Sequence, residues 1–248
     1  MFSEKKIFYP KKNWHMHLLK YGLVLTAMLA NVVTNAQENA AALIKKVGAK
    51  IELVNNYTAE GKMKTYVAFL KVPVSAVKIY YKKPNQLKIK NERGISFVPK
   101  GAVSINLSSI INGEKYTTLD AGIDKIGNTS VRVVKLLPMD DNADIVLSTI
   151  YIDEANLVIK KAKTTTRENG SYQLDMTYGK YSSYGLPDKI IFTFNTKEYK
   201  LPKGITFDFD DGEAAKKSVP KGLNKNQGRA EITFDSYIIN KGVSDGVF

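Results

Sequence analysis

The sequence predicts a mainly β protein with minor α: one amphipathic helix, then a strongly curved antiparallel sheet that forms an incomplete β-barrel. Three observations carry this. Apolar residues first recur every three or four positions, at Leu43, Val47, Ile51 and Val54. From about Lys62 the period switches to two, as pleated strands require. The alternating runs are then joined by short turn signals rather than helical crossovers, which favours sequential antiparallel pairing.

The helix is expected over Asn39 to Val54. Lys45, Lys46, Lys50 and Glu52 occupy its polar side, and Asn55-Asn56 marks its stop. Met63, Thr65, Val67 and Phe69 then alternate with Lys62, Lys64, Tyr66 and Ala68. Val77, Ile79 and Tyr81 alternate with Lys78, Tyr80 and Lys82, and Leu87 and Ile89 with Lys88 and Lys90. One face of these strands is buried and the other wet. A strand from Val131 to Leu137 is closed by Pro138. Asp144 to Asp153 is the next, and Asp153-Glu154-Ala155-Asn156 turns into Leu157 to Thr166. Glu168-Asn169-Gly170 is a hairpin turn. Beyond it Tyr172, Leu174, Met176 and Tyr178 share one strand face. Lys189 to Phe194, Ile205 to Phe209 and Ala230 to Asn240 complete the set. The polar, basic stretch from Gly212 to Gly228 reads as a loop.

The first thirty-six residues read as an export leader, 1–36. Lys5, Lys6, Lys11, Lys12 and Lys20 make a basic region ahead of the uncharged run Tyr21 to Val33. Thr34-Asn35-Ala36 offers a signal peptidase its small residue before Gln37. The apolar run is about thirteen residues, short of the about 20 that span a bilayer. The chain has no cysteine, so the expected mature product, a single domain over 37–248, is free in the periplasm rather than lipid-anchored.

Removing that leader limits the chemistry. Trp14, His15 and His17 lie inside it and are the only Trp and His of the chain. No Ser-His-Asp or Cys-His nucleophile can be built from the rest, and no zinc or copper site of ordinary type. The expectation is no enzyme, no catalytic residue, no metal and no cofactor. The net charge is +13. The leader carries five lysines against Glu4, which leaves +9 over the remaining 212 of 248 residues. A basic surface of this kind suits an anionic membrane surface or a cell-wall polymer; export argues against nucleic acid.

Several local motifs in this order resemble the outer-membrane lipoprotein carriers, the LolA-type periplasmic chaperones. Tyr81-Lys82-Lys83-Pro84-Asn85-Gln86-Leu87 resembles the family's aromatic, basic and Pro-Asn segment at an early strand. Ile150-Tyr151-Ile152-Asp153 resembles its strand before a turn. Leu186-Pro187-Asp188-Lys189-Ile190 and Leu201-Pro202-Lys203-Gly204-Ile205 resemble its Pro-marked C-terminal strands. Phe234 to Phe248, with Ile239-Asn240-Lys241-Gly242 within it, resembles the ending of sorting proteins in the wider group. The resemblance covers nearly all of 37–248. It implies that the helix packs on the concave face of an incomplete barrel, whose apolar lining takes the acyl chains of a lipoprotein or related lipid. It further implies a monomeric carrier that loads at an inner-membrane exporter and delivers towards the outer membrane. Two departures bear on mechanism: Lys83 stands where the family has a lid-holding arginine, and 37–248 lacks the tryptophans that often line the family's cavity. Lysine cannot form the planar fork of bonds that arginine forms.

The alternation against lysines assigns the ligand face to Val67, Phe69, Ile79, Tyr81, Leu87 and Ile89, with Leu174 and Met176 opposite; a one-residue slip would bury the lysines instead. Lys82 and Lys83 are the expected rim or lid residues. An ordinary filled core explains the same alternation equally well, and Lys82 and Lys83 also fit solvated edge lysines that prevent strand-to-strand aggregation. A sensing module for lipidated ligands on the same fold is the alternative function, and a carboxylate-based cell-wall hydrolase another. Asp208, Asp210, Asp211 and Glu213 invite a calcium reading without matching an EF-hand spacing. Asp140, Asp141 and Asp144 are the candidate paired carboxylates for a hydrolase, in a predicted turn.

Overall fold

Helix α1 spans 40–51 and opens the part of the chain that the computed structural model describes, which is 40–67, 70–71, 74–84, 86–91, 116–168, 170–195 and 226–248. Ala40, Leu43, Ile44 and Val47 are buried on one side of it, while Lys45 and Lys46 are exposed. A helix this short is marginal in water. Burial of its apolar stripe, worth about 1.5–3 kcal/mol per large side chain, is what holds it. It ends three residues before the expected Val54, with Glu52 and Leu53 in a turn.

The strands are β1 (Asn56–Val67), β2 (Leu70–Lys71), β3 (Ser75–Lys82), β4 (Gln86–Asn91), β5 (Tyr116–Ile126), β6 (Thr129–Pro138), β7 (Ile145–Asp153), β8 (Val158–Thr166), β9 (Ser171–Thr177), β10 (Lys189–Asn195) and β11 (Gln227–Ile239). Ten of them form one antiparallel sheet in the order β4-β3-β1-β11-β10-β9-β8-β7-β6-β5, with β2 attached to β1. From β5 to β11 the chain is a meander; β11 then pairs with β1 and brings the two ends of the described chain together. Among the described residues β4 and β5 do not pair, so the sheet is not closed into a barrel. This is the mainly β, single-helix, incomplete-barrel architecture the sequence predicts.

Three of the longer strands also differ from expectation. β1 starts at Asn56 rather than Lys62, because Tyr57 and Ala59 continue the inward series through Gly61 and Met63. β5 was not anticipated: much of its surface is exposed, a register shift falls between Asp120 and Ile123, and no apolar alternation marks it. β11 begins at Gln227 and so takes the end of the stretch read as a loop. The expected strand Ile205 to Phe209, the carboxylates Asp208 to Glu213, Phe69 and the leader lie outside the described residues.

The register of β1 and β11 slips between Glu60 and Gly61, where Glu60 faces Ser236 and Gly61 faces Phe234. The extra residue, Asp235, reverses the side-chain parity of β11. Ala230, Ile232 and Phe234 before it, and Tyr237 and Ile239 after it, therefore pack on the same side of the sheet. Glycine is required at 61, since a Cβ there would stand 2.3 Å from the Thr233 carbonyl oxygen. The buried side chains form two clusters. One joins α1 to β6–β11 through residues such as Val134, Ile150, Ile152, Leu174, Phe192 and Ala230. The other gathers Ala59, Met63, Val77, Ile79 and Tyr237.

Candidate functional site

Between the two clusters lies an apolar cavity of about 140 Å³. Four strands contribute to it through period-two alternation: Ile79 and Tyr81 from β3, Leu87 and Ile89 from β4, Leu174 and Met176 from β9, Ile190 and Phe192 from β10. β11 supplies Ala230, Ile232, Phe234 and Tyr237. Ile51 and Val54 reach it from the end of α1, and Tyr184 to Pro187 from the loop between β9 and β10. Six of the residues assigned from sequence thus meet in one place: Ile79, Tyr81, Leu87, Ile89, Leu174 and Met176. Val67 ends β1, and its side chain, like Phe69, lies outside the described residues. The sequence reading missed Tyr57, Phe234 and Tyr237. Tyr57 precedes the stretch where alternation becomes obvious, and the bulge at Asp235 conceals the other two.

Four aromatic rings line one wall. Tyr57 packs against Tyr81 at 5.2 Å and edge-on against Tyr237 at 5.4 Å between ring centres. Phe234 stacks on Tyr237 at 5.0 Å. Burial pushes the Tyr57 and Tyr237 hydroxyls well above the usual tyrosine range, so both stay neutral. The Tyr237 hydroxyl donates to the Pro187 carbonyl at 2.8 Å, which fixes the β9–β10 loop over the cavity. Nearby, the Tyr178 hydroxyl donates to the Ile159 carbonyl at 2.9 Å. The Tyr81 hydroxyl is buried and has no hydrogen-bond partner among the described residues.

The end of α1 is tied at two places. Lys50 Nζ donates to the Asn156 carbonyl in the β7–β8 turn at 2.5 Å. On the other side Lys83, in the β3–β4 turn, donates to the Glu52 carbonyl at 2.6 Å and the Asn55 side chain at 3.2 Å. Its ammonium also lies 2.6 Å from the Glu52 carboxylate. A cation at the last carbonyls of a helix meets the negative end of its dipole. Lys82 pairs instead with Asp245. Both lysines therefore sit at the sheet rim with exposed or half-exposed ammonium groups.

Of the remaining sequence candidates, Asp140, Asp141 and Asp144 fall between β6 and β7. Asp140 caps the β6–β7 turn, its carboxylate accepting from the Asn142 amide at 2.9 Å. Among the described residues no group of three or more carboxylates or histidines is arranged to hold a metal ion. No described helix is long and apolar enough to cross a membrane.

No protein-family model matches the chain, and no curated protein matches its sequence. Solved structures do match its fold. A putative outer membrane lipoprotein-sorting protein domain from Vibrio parahaemolyticus superimposes with a TM-score of 0.55 at 10% identity, over 85% of this chain and 96% of that one. A DUF1329 family protein from Desulfovibrio piger gives 0.56 at 9% identity, over 86% and 97%. A LolA superfamily protein from Nitrosomonas europaea gives 0.50 at 9% identity, over 84% and 96%. At these identities the likeness is one of fold: the chain has the architecture of LolA-superfamily and lipoprotein-sorting domains across most of its length.

Proposed function

We propose that this chain, sharing the fold of lipoprotein-sorting domains, is a periplasmic carrier that takes the acyl chains of a lipoprotein or related lipid into its apolar cavity and carries them towards the outer membrane. The cavity under the end of α1 is the observation that supports this reading most directly. Acyl chains cannot cross water unaided, because each buried CH₂ contributes about 0.8 kcal/mol. A chain of roughly sixteen carbons thus holds on the order of 12 kcal/mol of transfer free energy. A carrier has to compete with the membrane for that energy and still let go. An unclosed sheet with a helix over it meets both demands.

The cavity of about 140 Å³ is smaller than the roughly 300 Å³ or more typical of ligand pockets. In the proposed cycle the end of α1 and the β9–β10 loop therefore swing away from the concave face of the sheet to admit cargo. Lys83 acts as a lid residue through its bonds to the end of α1, and Lys82 as its rim neighbour. Function is by binding and release rather than by bond making. The leader 1–36 is removed after Ala36, and the single domain 37–248 works as a free monomer, loaded at an inner-membrane exporter and drawn to anionic membrane surfaces by its positive charge.

Binding is tested with a fluorescent fatty acid and the Ile79→Asp variant. A charge in the wall costs several kcal/mol to bury beside an acyl chain, so binding should fall by at least about 100-fold. Equal binding by variant and parent removes Ile79 from the ligand surface. N-terminal sequencing of protein from a periplasmic fraction should begin at Gln37. A chain retained in membranes with Met1 intact contradicts the soluble carrier.

A further inference from the structure

The hydroxyl of Tyr81, without a hydrogen-bond partner among the described residues, is a feature of the cavity wall that hydrophobic packing does not explain. Tyr81 is 6% exposed, its ring rests on Tyr57, and phenylalanine would fill the same space. Its hydroxyl is buried without a hydrogen bond among the described residues. Tyr237, which is buried, and Tyr178, which is half-buried, each donate to a backbone carbonyl. A buried polar group left unpaired is costly, and nearly all such groups in folded proteins have a partner. Tyr81 also stands at the end of β3, immediately before the rim lysines Lys82 and Lys83.

From this we infer that the Tyr81 hydroxyl is the polar anchor of the site, and that the ligand is an acyl chain with a carbonyl or carboxylate oxygen at its head rather than plain hydrocarbon. This rests on the carrier reading above and specifies its ligand. When α1 and the β9–β10 loop admit cargo, the hydroxyl donates to the head oxygen. The tail then runs along Leu174 and Met176. The position next to Lys82 and Lys83 places the head of the ligand, and not its tail, at the rim.

The test compares parent and Tyr81→Phe protein by displacement of bound 1-anilinonaphthalene-8-sulfonate. Three probes of equal chain length are used: dodecanoic acid, methyl dodecanoate and dodecane. A neutral hydrogen bond contributes about 1 kcal/mol net, so Tyr81→Phe should bind the oxygen-bearing probes about five-fold more weakly. Dodecane should bind both proteins alike. A loss confined to dodecanoic acid supports the anchor with a free carboxylate as its source. A loss with the methyl ester supports it with an esterified chain, as on a lipidated protein. If all three probes bind and the variant matches the parent, the anchor is overturned while the carrier reading stands. If none of the three displaces the dye from the parent, both fall. Thermal unfolding of the ligand-free proteins gives a separate readout. Tyr81→Phe should melt at the same temperature or about 2–4 °C higher, because it deletes an unsatisfied group. A drop of that size would mean that the hydroxyl is already paired in the free protein and is no anchor.

Discussion

Asn240 holds together the start of β1, the exit of α1 and the end of β11. Its side chain accepts from the Asn55 amide at 2.7 Å and donates to the Leu53 carbonyl at 2.8 Å. Its own backbone lies at φ 57, a left-handed conformation that asparagine tolerates better than most residues. Asn240→Ala should lower stability by about 2 kcal/mol, since it strands backbone groups and strains φ; the urea midpoint measures it. Glu231 makes a second point at this scale. Burial pushes its carboxyl up, but Lys189 at 2.6 Å and Arg229 at 2.9 Å outweigh this and hold it below its ordinary value. A depressed carboxylate contributes stability above the unfolded value of 4.5 and loses it as pH falls through the folded value. Glu231→Gln should therefore flatten the stability curve below about pH 4.5 and lower it above. Parallel urea curves for variant and parent from acid to neutral pH would contradict this.

At the scale of elements, α1 is bound by two unlike kinds of contact. Leu43, Ile44 and Val47 anchor it through burial, whereas its end is pinned by Lys50 and Lys83, whose partly exposed bonds are weak individually. The end can thus loosen while the rest stays seated. Lys83→Leu should change global stability by less than about 1 kcal/mol. It should nonetheless speed amide exchange at 50–54 and the release of bound fatty acid in stopped flow. Equal release rates would leave Lys83 as an ordinary edge lysine. The bulge in β11 is the other element with consequences, for without the extra residue Asp235 either Phe234 or Tyr237 would point to solvent.

For the whole molecule, the described strands form an unclosed sheet that keeps an apolar cavity beside the end of α1. On the proposed function, in which ligand binds the folded state alone, saturating dodecanoic acid should raise the melting temperature with the logarithm of its concentration. At 100 times the dissociation constant the gain is about 2.7 kcal/mol, or roughly 5–10 °C for a domain of this size. A melting temperature independent of ligand would show that the cavity does not bind it.

The sequence by itself determined the helix-then-strands order of most described elements, the inward face of most strands, and six of the cavity residues. All of these follow from local periodicity, which the alternation of Val77, Ile79 and Tyr81 with lysines states without ambiguity. It also shows that 37–248 contains neither histidine nor cysteine. Only the tertiary structure decided the pairing of β11 with β1, because strand order depends on contacts between residues far apart in the chain. The same holds for Tyr57, Phe234 and Tyr237 in the wall, where a bulge breaks the period, and for β5, whose wet faces carry no apolar signal. Lys83 shows the limit most plainly. Its place beside Pro84 could be read as rim, yet its bonds to the end of α1 exist only because the fold carries the helix across the sheet to meet it.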